Sequence, residues 1–319
     1  MASPAVGTVE SLTMDGAQRA QVCFLPDGRR LHLQDGPIDL IIEAAGAPVV
    51  VEAAYRAAAA RFRLVLNELC AELPGLRTPA TPRPRPFRGP VARRMEAAVA
   101  PYAADAFITP MAAVAGGVAD EILAVMRSAA GDSLARVCVN NGGDIALHLA
   151  PGEATTIGLV SRPDRPALFA HARLAAGDRI GGIATSGAPG RSFSLGIADA
   201  VTILASCAAE ADAAATVVAN AVDLPGDPRV ERRPARNLQP DSDLGDRLVT
   251  RAVAPLDPES IATALDRGLV AARSLVARGM IVAAALHLQG LTRIASADSG
   301  LMALEARDDV TMLRERLDA

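Results

Sequence analysis

Four short segments hold residue types and spacings that could do chemistry. In Ala211-Asp-Ala-Ala-Ala-Thr216 a carboxylate and a hydroxyl stand four residues apart among alanines. On a helix that spacing puts Asp212 and Thr216 on one face. Hard oxygen donors of this kind suit Mg²⁺ or Ca²⁺ rather than zinc. The plainer alternative pairs Asp212 with its own helix N-terminus and Thr216 with a backbone carbonyl.

The other three segments would serve a ligand's anionic part. Met111-Ala-Ala-Val-Ala-Gly-Gly-Val-Ala-Asp120 puts small residues at a helix entrance. There Ala115, Gly116 and Gly117 allow close approach, and free N–H groups favour an anion. A helix crossing needs small residues equally. Asn140-Asn-Gly-Gly-Asp144 joins two expected strands. It is either a tight hairpin turn or a place where Gly142 and Gly143 expose amides while Asn141 and Asp144 bond a ligand. Thr185-Ser-Gly-Ala-Pro-Gly-Arg-Ser192 gathers two glycines, three hydroxyls and an arginine. Thr185, Ser186, Gly187, Arg191 and Ser192 could form an anion nest with a charged clamp, or a plain surface loop.

Composition removes several classes of function. The chain has 319 residues and a formal net charge of −4, with half its residues hydrophobic. No basic face with stacking aromatics suggests nucleic acid. The Pro/Arg run at Arg83, Arg85 and Arg88 reads as a solvated linker. Lysine is absent, which excludes a Walker-type phosphate loop and Schiff-base chemistry. Cys23, Cys70, Cys138 and Cys207 form no CxxC pair and read as reduced, buried thiols of the cytoplasm. No signal peptide or long uncharged apolar run is seen, so the expected location is cytoplasmic, away from membranes. His32, His148, His171 and His287 read as structural. His148 has the best claim to more, because it follows the Gly-Gly-Asp turn on the same hairpin.

These segments need a scaffold. A β-meander is expected at residues 21–25, 30–34 and 39–43, followed by a helix over 49–73 that Pro74-Gly75 ends. Residues 78–90 are a proline-rich crossing loop. Helices follow over 91–100 and from Pro110 to about Ala130. Strands are expected at 136–139, 145–149, 155–160, 170–174, 180–184 and 200–205, then a helix over 210–222. Residues 224–241 read as a second proline-rich linker. A strand at 249–253, a helix over 258–277 and a strand at 280–288 close the fold. The charged tail from Ala295 reads as a peripheral helix. Short turns favour antiparallel neighbours, hence an α+β fold. The division expected is one domain over 1–294 (1–90, 91–222 and 241–294 as its parts) with a peripheral tail over 295–319.

Taken in order, the segments resemble the ApbE-like superfamily, and more closely a cytoplasmic branch of it. That branch carries Pro-Met-Ala-Ala-Val-Ala-Gly, here Pro110 to Gly116. It carries Asn-Gly-Gly-Asp-Ile, here Asn141 to Ile145, and Gly-x-Ala-Asp-Ala, here Gly196 to Ala200. It ends with Ala-Asp-Ala-x-Ala-Thr-x-x-x-Asn, here Ala211 to Asn220. Asp39 to Ile42 and Ser242 to Gly245 also fit. The resemblance implies antiparallel sheets of the T-fold-related kind with packed helices. Characterised members look like flavin transferases that bind FAD and, with Mg²⁺, move FMN onto a protein threonine. It implies a metal held by Asp212, Thr216 and a backbone carbonyl near Ala115. Asp212, Ser186 and Asp199 are the candidates for catalysis, and the three anion-binding segments, including Asp120, for the cofactor. The chain departs from the transferases where they carry His-x-x-Asp-Pro; here Ser194-Leu-Gly-Ile-Ala-Asp199 has neither histidine nor proline. The expected partner is a phosphorylated small molecule. Alanine-rich helices also suit a homo-oligomer. Alternatives to a flavin-nucleotide enzyme are an enzyme acting on an organic acid or N-heterocycle, or a non-catalytic flavin-binding protein.

Overall fold

The computed structural model describes residues 19–160, 168–190, 192–297 and 300–304. The chain opens with β1 (Gln21–Phe24), β2 (Leu31–Asp35) and β3 (Ile38–Gly46). Alternation in β2 and β3 sends Leu31, Leu33, Leu40 and Ile42 inward. Helix α1 (Pro48–Leu76) covers that face, burying Ala54, Tyr55, Ala58, Phe62, Val65 and Leu69 at helical spacing. It runs past Pro74, because a proline in the last turn forfeits one bond without breaking the cylinder. Gly75 is instead a packing residue: a Cβ there would lie 2.9 Å from the Phe87 ring.

Helix α2 (Pro90–Val99) follows an irregular crossing segment. Arg85 in that segment is not a solvated linker residue. Its backbone and guanidinium hold the buried Glu96 carboxylate at 2.7–3.0 Å, because a buried charge requires a partner. Pro110–Ala113 is a single 3₁₀ turn, and α3 (Val114–Ala130) starts only after it. Arg61 of α1 and Arg94 of α2 both reach Glu121 of α3, locking the three helices together.

Strands β4 (Leu134–Asn141), β5 (Asp144–Leu149), β6 (Ala154–Val160), β7 (Leu168–Ala175), β8 (Gly182–Ser186) and β9 (Ala200–Ala205) come next. Then come α4 (Ala208–Ala221), β10 (Val230–Pro234), β11 (Leu248–Val253), α5 (Pro258–Ala277), β12 (Ala283–Leu288), β13 (Leu291–Ser296) and β14 (Met302–Leu304). Nine strands form one sheet in the order β1-β2-β3-β4-β5-β8-β9-β12-β13. A three-stranded sheet, β14-β7-β6, and the β10-β11 ribbon complete the set among the described residues. Every pairing is antiparallel. The fold is α+β, as the short turns required.

Two cores result. The helices cover one face of the long sheet. The small sheet covers part of the other with Phe169, Leu174 and Met302 against Ile183, Leu204 and Ala285. Three more expectations change. The proline-rich stretch 224–241 contains β10, whose arginines pair with neighbouring acids. The segment from Ala295 belongs to β13 and β14 rather than a helix, as far as it is described. Cys23 and Cys70 are exposed rather than buried, because they lie on an edge strand and on the outer side of α1, and all four cysteines are free. Among the described residues no helix is long and apolar enough to cross a membrane.

Candidate functional site

The site is built where the N-terminal ends of α3 and α4 meet. A Cβ on Gly116 would fall 2.2 Å from the Ala208 carbonyl oxygen, so glycine is required for the crossing. At Gly117 a Cβ would meet the flexible Met95 side chain at 3.2 Å. Close approach lets each helix supply an anion to the other. Asp212 of α4 accepts the Gly116 amide at 3.0 Å and is also bonded by the Ala115 amide. Asp120 of α3 accepts the Ala208 and Ala209 amides at 2.9 and 2.8 Å. The free amides of a helix N-terminus attract negative charge; here both ends find it inside the protein.

The β4–β5 hairpin brings a second carboxylate to this place. Gly142 and Gly143 take positive φ, 65° and 115°, in a two-residue turn. The turn makes Asn141 and Asp144 cross-strand partners. Both share a sheet face with Val139 and Ala146, which pack beneath the helices. Asn141 donates to the Ala115 carbonyl at 3.1 Å, and Asp144 accepts the Thr185 amide at 3.2 Å. The Gly143 amide is turned onto Asn140.

The electrostatics of the cluster are one-sided. Burial pushes the Asp144 carboxyl up to about 7, against the lowering effect of the Thr185 amide. Burial, then the neighbouring Asp144 charge, raise Asp212 well above the ordinary carboxylate range, although two amides oppose the shift. Asp120 is raised by burial and partly restored by its two amides. Asp144 and Asp212 therefore form a partly exposed carboxylate pair without an arginine on it among the described residues. Thr216 lies one turn beyond Asp212 on α4, half-buried.

The remaining residues named from the sequence divide into two groups. Ser186 follows Ala184 on the helix-facing side of β8, whereas the Thr185 hydroxyl points to the opposite face and pairs with Thr202 at 2.8 Å. Gly187 is fixed by the chain itself, since a Cβ there would lie 2.4 Å from the Asp199 carbonyl. The amides of Ala188 and Gly190 are bonded to Ala198 and Gly187, so much of this loop's backbone serves its own shape. Arg191 lies outside the described residues, and Ser192 is exposed. Asp199 receives the Gln289 amide at 2.6 Å and is part of the β9 entrance rather than of the carboxylate pair.

Residues not singled out from the sequence hold the frame. Asn220, at the far end of α4, accepts the Leu195 amide at 2.9 Å and a bond from Ser194. Arg232 of β10 binds Asp223 and the Leu195 carbonyl. Asp243 accepts the Thr109 hydroxyl just before the Pro110 turn. The sequence signals were the terminal Asn of the Ala211–Asn220 motif and the Ser242–Gly245 motif. A cavity of about 350 Å³ lies elsewhere, lined by Pro79, Ala80 and residues 103–108.

A metal fits the donors present. Among the described residues no three His, Cys, Asp or Glu side chains converge as a metal site. The candidate set instead combines one carboxylate (Asp212), one hydroxyl (Thr216) and one carbonyl (Ala115), all hard oxygens, beside a second carboxylate. The Ala115 carbonyl takes a bond from Asn141 and, as the second residue of α3, also faces the Ala119 amide one turn on, so a metal would have to share it.

Comparison with known proteins identifies the family. A family model described as "AbpE bacteria" matches residues 22–294. A UPF0280 protein of Methanopyrus kandleri is 37% identical over 130 residues, covering 41% of this chain and 48% of that protein. One from Methanocella arvoryzae is 32% identical over 201 residues, covering 62% and 76%. The chain thus spans about half the length of the first of these curated relatives. Among solved structures, the flavin transferase ApbE from Vibrio cholerae is 13% identical, with 92% of this chain and 99% of that one covered and a TM-score of 0.35. A mutant of the same transferase gives 12% identity, 84% and 98% coverage and a TM-score of 0.36. The family match spans both the β4–β5 hairpin and the α3–α4 crossing, and by it this chain belongs to the ApbE-like superfamily, in the family described as AbpE bacteria.

Proposed function

We propose that the chain is a metal-dependent flavin-nucleotide enzyme, moving FMN from FAD or cleaving the FAD pyrophosphate. The observation that carries this reading is the Asp212–Asp144 carboxylate pair at the α3 entrance. Two neighbouring carboxylates with amides as their partners call for a proton or a cation between them. Asp212, Thr216 and the Ala115 carbonyl would hold Mg²⁺, with Asn141 orienting that carbonyl. Bound there, the ion would neutralise a pyrophosphate and stabilise charge developing in phosphoryl transfer. The flavin part of the reading rests on family membership and the four motifs. Ser186, on the helix-facing side of β8, and the Gly142–Gly143 turn are the groups best placed to meet the ligand. The phosphorylated ligand, a cytoplasmic location and self-association belong to the same proposal.

One observation favours a second reading. Ser194 and Asp199 bound the stretch that stands in place of His-x-x-Asp-Pro, and both are tied into the scaffold through Asn220 and Gln289. The same pocket would then act on a small organic acid or N-heterocycle, or bind a flavin without turnover. Incubation of the purified protein with FAD and Mg²⁺, followed by chromatography, separates these. FMN and AMP are expected. Tight binding without product selects the binding protein, and neither binding nor product ends the flavin reading.

A further inference from the structure

The outer face of β1, β2 and β3, opposite the one covered by α1, carries a second set of chemistry-bearing side chains. Cys23, His32 and Asp39 come from three consecutive strands. Cys23 and His32 are cross-strand partners. His32 is paired with Ile41 on β3, two residues from Asp39 on the same face. The Cys23 Sγ lies 3.7 Å from His32 Nδ1, and His32 Nε2 lies 2.8 Å from Asp39 Oδ1. Cys23 is exposed, and the His32 and Asp39 side chains are 26% and 40% exposed. Further along this face Glu43 is balanced by Arg29 and Arg136.

The contacts assign the tautomer of the neutral ring. An ionised carboxylate only accepts, so Nε2 carries the proton that faces Asp39. Nδ1 is left with its lone pair toward the Cys23 thiol. A thiol, a base aimed at it and a carboxylate orienting the base form the arrangement that activates a nucleophile. An ordinary cysteine is only a few per cent thiolate near neutrality, so a base within reach changes its reactivity. All four β1 residues are exposed. An open strand face suits capture of a small reagent rather than turnover of an enclosed substrate.

We propose that Cys23 is a thiol-modification site, activated by His32 and Asp39, that reacts with low-molecular-weight disulfides. As Sγ attacks one sulfur of the disulfide, His32 Nδ1 takes the thiol proton. The reagent's S–S bond breaks and a new one forms between Cys23 and the attacked half. The other half leaves as a thiolate and recovers the proton from His32. Cys23 is oxidised and the departing half reduced, so the disulfide is the sole oxidant.

Cys70 provides an internal comparison: it is exposed on α1 with Arg19 as its charged neighbour but without such a histidine contact among the described residues, so a faster Cys23 isolates what the histidine adds. The full chain would be treated with dithiodipyridine, whose released thiopyridine absorbs light, and each cysteine followed by peptide mass mapping. Cys23 is expected to react about tenfold faster than Cys70 in the native protein, and at a similar rate in denaturant. His32→Ala should bring Cys23 down to the Cys70 rate without changing Cys70. His32→Gln keeps a hydrogen bond to Asp39 but lacks the basic ring, and should show the same loss if the alanine variant fails to fold. Asp39→Asn should slow Cys23 about threefold. Equal native rates for the two cysteines, or a His32 variant that folds and leaves Cys23 as fast as before, would overturn the proposal.

Discussion

Asp120 and Asp212 answer each other across the α3–α4 crossing, each placing a carboxylate on the other helix's N-terminal amides. Asp120 is buried, with both oxygens taken at 2.8–2.9 Å by two successive amides. Asp212 is only partly buried, bonded by the Ala115 and Gly116 amides, and stands beside Asp144. One end of the crossing is enclosed and the other is not. The enclosed Asp120 is out of a ligand's reach and acts as a cap. An aspartate with a neighbouring like charge and an open side is a place for a cation. The same helix-end electrostatics therefore produces a structural joint and a candidate site, and what separates them is solvent access and the Asn141–Asp144 hairpin.

Removing each carboxylate tests that contrast most strongly. Asp120→Ala strands two buried amides and should destabilise the fold by about 3–4 kcal/mol, read as a lowered denaturant midpoint. Asp212→Ala leaves the buried Gly116 amide without its acceptor but relieves repulsion with Asp144, and the two effects oppose each other. It should change the metal-free stability by less than about 1.5 kcal/mol. Mg²⁺ should raise the thermal midpoint of the wild-type chain and leave that of Asp212→Asn unmoved. Equal destabilisation by both alanine variants would mean that the two ends are the same kind of joint.

The paired glycines give the next largest difference. A Cβ at position 116 meets the Ala208 carbonyl at 2.2 Å and the Ala209 nitrogen at 2.7 Å. These are backbone atoms of the turn that Asp120 caps, and they cannot rotate away. Gly116→Ala should cost about 2–4 kcal/mol and also weaken metal binding, because the Asp212 cap moves with it. Gly117→Ala meets a methionine side chain, which yields. Its better helix propensity offsets that shift, leaving stability within about 1 kcal/mol of wild type. Thermal melts of the two variants, with and without Mg²⁺, read both effects.

How much of this was legible follows from how local each signal is. The meander, α1, α5 and the Asn140–Asp144 turn announce themselves by period or by turn residues within a few positions. The cross-capping joins Asp120 to Ala208 and Gly116 to Asp212 across 88 and 96 residues, and nothing in either segment names its partner. Strand β10 was hidden because Val230–Pro234 has one buried residue and a proline, and is held by ion pairs and one neighbouring strand. Arg85 reads as solvated in the sequence because Glu96, its partner, sits on a helix whose buried face is not readable from a proline-rich run. Extending the expected strand at 180–184 by two residues would have shown, by alternation alone, that Thr185 and Ser186 face opposite ways.

The smallest effect concerns pH. Asp144 keeps its proton in the folded chain until about pH 7, whereas an unfolded aspartate gives it up near about pH 4. Between those limits the folded state binds more protons than the unfolded one, so stability falls as pH rises. The contribution is complete below the lower limit and fully lost above the upper one. Asp212, raised in the same direction, adds to the slope. The metal-free protein should therefore lose thermal stability from acid toward neutral pH. Asp144→Asn should flatten that decline and be more stable than wild type at neutral pH, by about 1–2 kcal/mol given solvent screening at a half-buried position. Asp120 is raised too, but its amides are fixed in both variants, so it contributes equally to each curve. Parallel melting curves for wild type and Asp144→Asn would show that Asp144 and Asp212 do not share one field, and the open end of the crossing would then be a cap like its counterpart.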